Sequence, residues 1–268
     1  MKKQLVRLIS PFTGNIYIQR LLEFAAKSCQ YFIGFGSGSS TSVSGEKILI
    51  RKLKQLAINN HQLCVFDVGA NKGQFLSLIQ NGLQGVSFNV HSFEPGKHTF
   101  NGLVETAGKF ANVTVNNVGL GKREGELTLF YDSPGSELAS LYQRRGDQTS
   151  VDFNCSETVK ILTLDDYCSA RHIQRIDLLK LDVEGHEMDV MLGGARMFKE
   201  RRVQMVSFEF GGCNVDSRTY FRDFFDYFNS HDMKNIFRIT PSGYLSPVKK
   251  YNESYEYFRT TNYLACLV

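Results

Sequence analysis

The 268-residue chain lacks several signatures whose absence narrows its class. Its six cysteines, at 29, 64, 155, 168, 213 and 266, form no CxxC pair and none of the close spacings of a zinc site, so they read as reduced packing thiols. There is no long basic block. Lys and Arg number 31 against 27 Asp and Glu, a formal charge of +4 that gives no reason to expect a nucleic-acid partner. No apolar run reaches the length of a signal-peptide core or membrane span: Arg7 interrupts the first, and Gln19, Arg20, Glu23 and Lys27 lie inside residues 15–33. No internal repeat is found. A cytoplasmic protein without stable membrane insertion is expected, its oligomeric state open and a homodimer one option.

What is present is an ordinary globular balance, 42% hydrophobic and 22% charged. Ile18, Leu21, Leu22, Ala25, Ala26, Cys29, Phe32 and Ile33 recur at three-and-four spacing and predict an amphipathic helix. Its polar face is not rich in Lys and Arg, so its stripe is expected to pack on the main domain rather than lie on a membrane. A Gly/Ser loop at 34–46 reads equally as a linker or as a lid over a ligand, and a helix at 46–58 follows it. These segments define an N-terminal helical extension, 1–60, before a main domain, 61–268.

From residue 63 strands and helices alternate, with strands at 63–68, 87–93, 113–118, 176–181 and 203–208 and helices from 73, through 104, at 186–199 and at 217–230. Such alternation predicts a doubly wound α/β sheet. The closing strands, 234–240 and 262–268, are expected to form a hairpin-like antiparallel edge. An insertion at about 121–175 carries strands at 127–131 and 159–162 and a short helix capped by Thr163 and Asp166. Its polar loop, 132–154, offers Ser140, Tyr142, Arg144 and Arg145 to a substrate, unless they are simply solvated.

The stretch VFDVGANKGQF, residues 65–75, joins the first strand to a helix. A dinucleotide site brings G-x-G-x-x-G so that a pyrophosphate can rest on the helix N-terminus. Here the pattern is D-x-G-x-x-x-G. The middle glycine is missing, and Asp67 suits a cationic ligand group better than a phosphate. S-adenosylmethionine, with a sulfonium, an α-amino group and no phosphate, fits. Glu94, ending the second strand in HSFEP, stands where an acid accepts hydrogen bonds from ribose hydroxyls, a spacing shared with NAD sites.

DVGANKG, SFEP, NVGLGKREGELTLF, LTLDDY and LLKLDVEGHEMDVMLGGA resemble the FkbM-type S-adenosylmethionine-dependent methyltransferases over about residues 36–268. The resemblance implies a Rossmann-like class I methyltransferase sheet of seven strands with an antiparallel edge, S-adenosyl-L-methionine as cofactor, and O-methylation of a hydroxyl on a sugar, glycan or glycolipid. On the matching motifs, cofactor binding passes to Asp67, Gly69, Asn71, Gly73, Glu94, Pro95 and Asn117, and catalysis to Asp182, Glu184 and His186. Ser140, Tyr142 and Glu209 are the expected substrate contacts.

Within DVEGHE, Asp182 ends a buried strand and Glu187 reads as a helix-start acid. A carboxylate or the His186 imidazole is expected to take the acceptor's proton without a metal. The alternative is that Asp182, Glu184 and Glu209 hold Mg²⁺ or Mn²⁺ against a substrate diol. Two functional alternatives stay open: a methyltransferase for a protein, nucleic-acid or other small-molecule acceptor, and a catalytically silent cofactor-binding module.

Overall fold

A computed structural model describes residues 2–38, 44–57, 62–143 and 153–267. Eleven strands are found among the described residues: β1 (Leu63–Val68), β2 (Phe88–Phe93), β3 (Val113–Asn116), β4 (Gly119–Leu120), β5 (Gly125–Tyr131), β6 (Cys155–Leu162), β7 (Leu178–Leu181), β8 (Met205–Phe210), β9 (Asn235–Ile239), β10 (Leu245–Pro247) and β11 (Thr261–Cys266). Eight form one sheet in the order β10-β9-β11-β8-β7-β1-β2-β3. β1 pairs in parallel with β2 and β7, β2 with β3, and β7 with β8. Strand order therefore reverses at β1, and a crevice opens beyond the carboxyl ends of β1 and β7.

Two expectations are corrected at the far side of the sheet. The last strand is not an edge: β11 inserts antiparallel between β8 and β9. Its residues 261–265 are all buried, and a strand apolar on both faces seeks the sheet interior. The edge is instead β10, three residues that fold back on β9 across the 241–243 turn and make an eighth strand where seven were expected.

Ten α-helices are found among the described residues: α1 (Lys2–Ile9), α2 (Ile16–Phe32), α3 (Lys47–Leu56), α4 (Gln74–Gly82), α5 (Lys97–Ala107), α6 (Leu164–Ala170), α7 (Glu187–Leu192), α8 (Ala195–Lys199), α9 (Cys213–Ser217) and α10 (Phe221–Ser230). The period of two along the strands divides the core. Leu63, Val65 and Leu178 face Leu49 and Leu53 of α3 and Leu76 and Ile79 of α4. Phe66, Leu179, Leu181 and Phe208 face the other layer, where Phe221, Phe224 and Phe228 of α10 are wholly buried. Truncating such a phenylalanine costs about 3–5 kcal/mol. Thus α3, counted above with the extension, contributes to the main core.

The helix expected at 186–199 breaks into α7 and α8 at Gly193–Gly194. A Cβ on Gly193 would lie 2.1 Å from the Gly121 carbonyl oxygen, so glycine admits a backbone contact that a continuous side-chained helix would block. The insertion forms its own three-stranded sheet, β4-β6-β5. The Thr163 cap is present, its Oγ1 accepting from the Asp166 amide at 3.0 Å.

The N-terminal stripe does not pack on the main domain. No residue of α2 is buried. Among the described residues contact gathers at its foot, where Gln30 accepts from the Tyr257 hydroxyl, the Arg238 Nε donates to the Ile33 carbonyl at 2.8 Å and the Arg238 guanidinium lies 4.0 Å from the Phe35 ring centroid. The preceding helix, α1, was not expected. No helix among the described residues is long and apolar enough to cross a membrane.

Candidate active site

The alternation that buries β1 on both faces also decides where its acid points. Phe66 and Val68 face the layer that holds α6 and α10, so Asp67 faces that of α3 and α4, in register with Lys180 of β7. Both are buried, as is Glu46 at the start of α3. The Lys180 ammonium donates to Asp182 Oδ2 at 2.9 Å and lies 5.2 Å from the Phe75 ring centroid. Burial pulls its pKa down, but the Asp182, Glu46 and Asp67 carboxylates outweigh burial and leave it raised.

Asp67 is different. Neither of its oxygens has a hydrogen-bond partner among the described residues. Burial, opposed by Lys180 and reinforced by Asp182, pushes its pKa up to about 7. A buried polar group without partners is costly, and such groups concentrate where a ligand supplies the missing donors.

The glycine turn follows. Gly69 has φ +80°, and a Cβ there would sit 1.8 Å from the Asp182 carbonyl oxygen. The glycine lets the turns after β1 and β7 touch, a reason for it that lies outside the local sequence. Asn71, at φ +47°, donates its amide to Glu94 Oε2 at 2.9 Å, while its own Oδ1 is buried without a partner. Gly73 precedes α4 in the left-handed region. Glu94 also accepts from the Gly96 amide at 2.9 Å and the Thr99 hydroxyl at 2.8 Å, and burial raises its pKa. Asn117 turns its side-chain amide to the Glu94 and Pro95 carbonyls at 2.9 and 3.0 Å, so it holds that turn from outside the cavity.

The 182–187 turn is drawn tight by its own acid. Glu187 is buried and accepts from the Val183 and Gly185 amides at 3.1 and 3.2 Å, and burial pushes it up to about 7. It therefore closes the turn as well as starting α7. Glu184 sits in the left-handed region at φ +52°, a costly conformation for a residue with a side chain. Ser140 donates to its carbonyl at 2.8 Å, and the Cys213 thiol to its Oε2 at 2.7 Å. His186 Nδ1 lies 3.2 Å from the Tyr142 hydroxyl and 3.4 Å from Asp189 Oδ2, and Tyr142 donates to that carboxylate at 3.0 Å. Its Nε2 is buried without a partner, and burial lowers the imidazole pKa.

These elements enclose a cavity of about 570 Å³. Asp67, Gly69, Asn71, Glu94, Pro95, Asp182, Glu184, His186 and Glu209 all line it. Gly73, Asn117, Ser140 and Tyr142 stand behind that lining; the last two position Glu184 and His186. Arg144 and Arg145, part of the 132–154 loop, His61, Ile58 and positions 39–43 of the Gly/Ser loop lie outside the described residues. Both described ends of that loop, Gly38 and Glu46, reach the cavity wall.

Burial and the neighbouring Asp182, Glu184 and Glu187 raise the Glu209 pKa well above the carboxylate range, against the pull of Lys180. Glu184, Glu209 and Cys213 bring ligand atoms within 4.8 Å of one another. Asp182, named with the two glutamates in the metal alternative, is instead paired with Lys180, and a thiol takes its place. Sequence reasoning missed Lys180, Glu46, Cys213 and Thr99. Only Lys180 carried a readable signal, a cation inside the apolar run LLKL.

The FkbM methyltransferase domain matches residues 67–234, more than half of the chain. The hexuronic acid methyltransferase AglP of Haloferax volcanii is 28% identical over 150 residues, 56% of either chain. The 2-O-methyltransferase NoeI of Sinorhizobium fredii is 26% identical over 152 residues, 52% of this chain and 60% of that one. This chain thus spans little more than half the length of these relatives. A crystal structure of an FkbM methyltransferase from Methylobacillus flagellatus is 17% identical, with TM-score 0.48 over 76% of this chain and 43% of that one. With the domain match running from the β1 acid through the 182–187 turn to the start of β9, the chain belongs to the FkbM methyltransferase family.

Proposed function

We propose that the chain transfers a methyl group from S-adenosylmethionine to a hydroxyl of a sugar, glycan or glycolipid. The observation that carries this reading is the charge of the cavity. Among the described residues its lining holds eight carboxyl groups and a single lysine. A pyrophosphate would meet repulsion there, whereas a ligand bearing ammonium and sulfonium charges and no phosphate is attracted. The donor fit is also local: Asp67 lacks partners that a cationic group supplies, and Glu94, oriented by three donors, is an acceptor suited to ribose hydroxyls. The bound donor supplies a methyl group on a positively charged sulfur, a good leaving group.

The chain's own residues then divide the remaining tasks. Lys180 fixes the Asp182 carboxylate at the crevice, where it orients the acceptor. Glu209, its pKa raised by burial and its acidic neighbours, holds a proton and leaves Glu184 beside it as the base. Glu184, whose Oε2 accepts from the Cys213 thiol, takes the hydroxyl proton as the new bond forms, worth roughly 10²- to 10⁴-fold in rate. His186, its Nε2 buried, supports this wall with Tyr142 and Asp189.

The names of the Haloferax and Sinorhizobium relatives, a hexuronic acid methyltransferase and a 2-O-methyltransferase, support the acceptor class. Incubation with isotopically labelled donor and host glycan extract, followed by mass spectrometry, should place the label on a sugar oxygen. Label in protein or nucleic acid would refute the acceptor class. Donor binding with no transfer to any acceptor would leave the silent module.

A further inference from the structure

The N-terminal helices present an apolar surface that nothing else in the described chain covers. On α2, Gln19, Arg20, Glu23, Lys27 and Gln30 fall on one strip about 100° wide, and the rest of the circumference is almost wholly apolar. Leu21 is 60% exposed, Phe24 70% and Phe32 74%. Exposed apolar patches of this kind mark interaction sites. Charge identifies the partner. Residues 1–33 hold five Lys and Arg against one acid, Glu23, and the remainder of the chain is balanced at 26 of each sign, so the chain's whole excess of +4 lies here. At the foot of α2 a groove of about 400 Å³ gathers Lys27 and Arg259 beside Tyr31, Phe35 and Phe258.

We infer that α1 and α2 dock on an anionic phospholipid bilayer, lying in its interface rather than crossing it. Apolar side chains around most of α2 would enter the headgroup and acyl boundary, and the cations would meet lipid phosphates. Neither α1 nor α2 is long and apolar enough to span. The groove shares Gly212 and Thr260 with the wall of the main cavity, so docking sets that wall beside the bilayer. A second copy of the chain is the competing occupant, but the same segment on both sides would bring five cations against five.

The full chain should cosediment with vesicles of phosphatidylglycerol and phosphatidylcholine, weakly or not at all with phosphatidylcholine alone, and less as salt is raised. Leu21→Asp with Phe24→Asp should weaken partition by at least about tenfold, and Arg20→Glu with Lys27→Glu by roughly tenfold, with unchanged thermal unfolding because all four side chains are exposed. Equal binding to neutral and anionic vesicles, binding indifferent to these variants, or no vesicle binding would overturn the inference. So would a dimer in sedimentation velocity that Leu21→Asp dissociates while neither form binds vesicles.

Discussion

Protonation of Asp67 should govern donor affinity. Its pKa is pushed up to about 7, so in the unliganded protein about nine molecules in ten carry the neutral acid at pH 6 and about nine in ten the anion at pH 8. A cationic ligand group binds the anion. Apparent affinity for S-adenosylmethionine should therefore rise about tenfold from pH 5 to pH 6, less steeply to pH 7, and level off above it, with up to one proton released per donor bound. The same group sets the stability of the empty protein. Its folded pKa is raised, so the advantage of the neutral acid is fully present below the unfolded pKa near 4 and is lost as pH climbs through about 7, a fall of about 4 kcal/mol for a wholly buried carboxyl. Asp67→Asn should flatten the affinity profile, weaken binding at pH 8, and stabilise the empty protein at neutral pH. Calorimetric titration in two buffers of different ionisation enthalpy counts the protons, and thermal melts read the stability. A slope that persists in Asp67→Asn, or a wild-type affinity flat from pH 5 to 7, would falsify the assignment of Asp67 as the cation-binding acid.

Glu94→Ala should lower donor affinity by about 1.5–3 kcal/mol in calorimetry and also lower the melting temperature, because the Asn71 and Gly96 amides and the Thr99 hydroxyl lose their acceptor; unchanged melting would mean that water replaces it. Gly69→Ala should cost more than about 2 kcal/mol in urea unfolding, since a Cβ cannot coexist with the Asp182 carbonyl at 1.8 Å; a wild-type midpoint would show that the two turns separate freely. Glu184→Gln should cut turnover by about 10²-fold or more with donor affinity nearly intact, and chelator should leave wild-type turnover unchanged. Loss of turnover on chelation, restored by added divalent cation, would instead assign Glu184, Glu209 and Cys213 to a metal.

The parts of this fold that were legible are those decided by local pattern. The strands around 63–68 and 178–181 stand out as short, mostly apolar runs, that at 88–93 by Phe88 and Val90 alternating with Asn89 and His91, and the Thr163 cap because its partners lie three residues apart. The illegible parts are contacts between distant segments. The break at Gly193–Gly194 depends on the Gly121 carbonyl, and the position of β11 between β8 and β9 on two neighbours far upstream. In the candidate site Asp67 and Glu94, which line the cavity, were visible as motif residues, whereas the pairing of Asp182 with Lys180 and the approach of Cys213 to Glu184 follow only from strand register and the fold of α9. The covering of α2 by the main domain was expected from amphipathicity alone, which says that a stripe must be covered and not by what.

The threading of β11 has a consequence for how the protein is made. Every other strand of the large sheet precedes it in sequence, yet it fills the gap between β8 and β9 and brings Asn262 to the cavity wall. Until residues 261–266 have left the ribosome, β8 offers a row of unpaired amides and carbonyls along an apolar strand, the kind of edge on which chains aggregate. The nascent chain therefore holds an open sheet and an incomplete cavity until β11 is made, and both close in one step that joins separated segments, which slows folding. A stop introduced just before β11 should yield a chain that fails to fold.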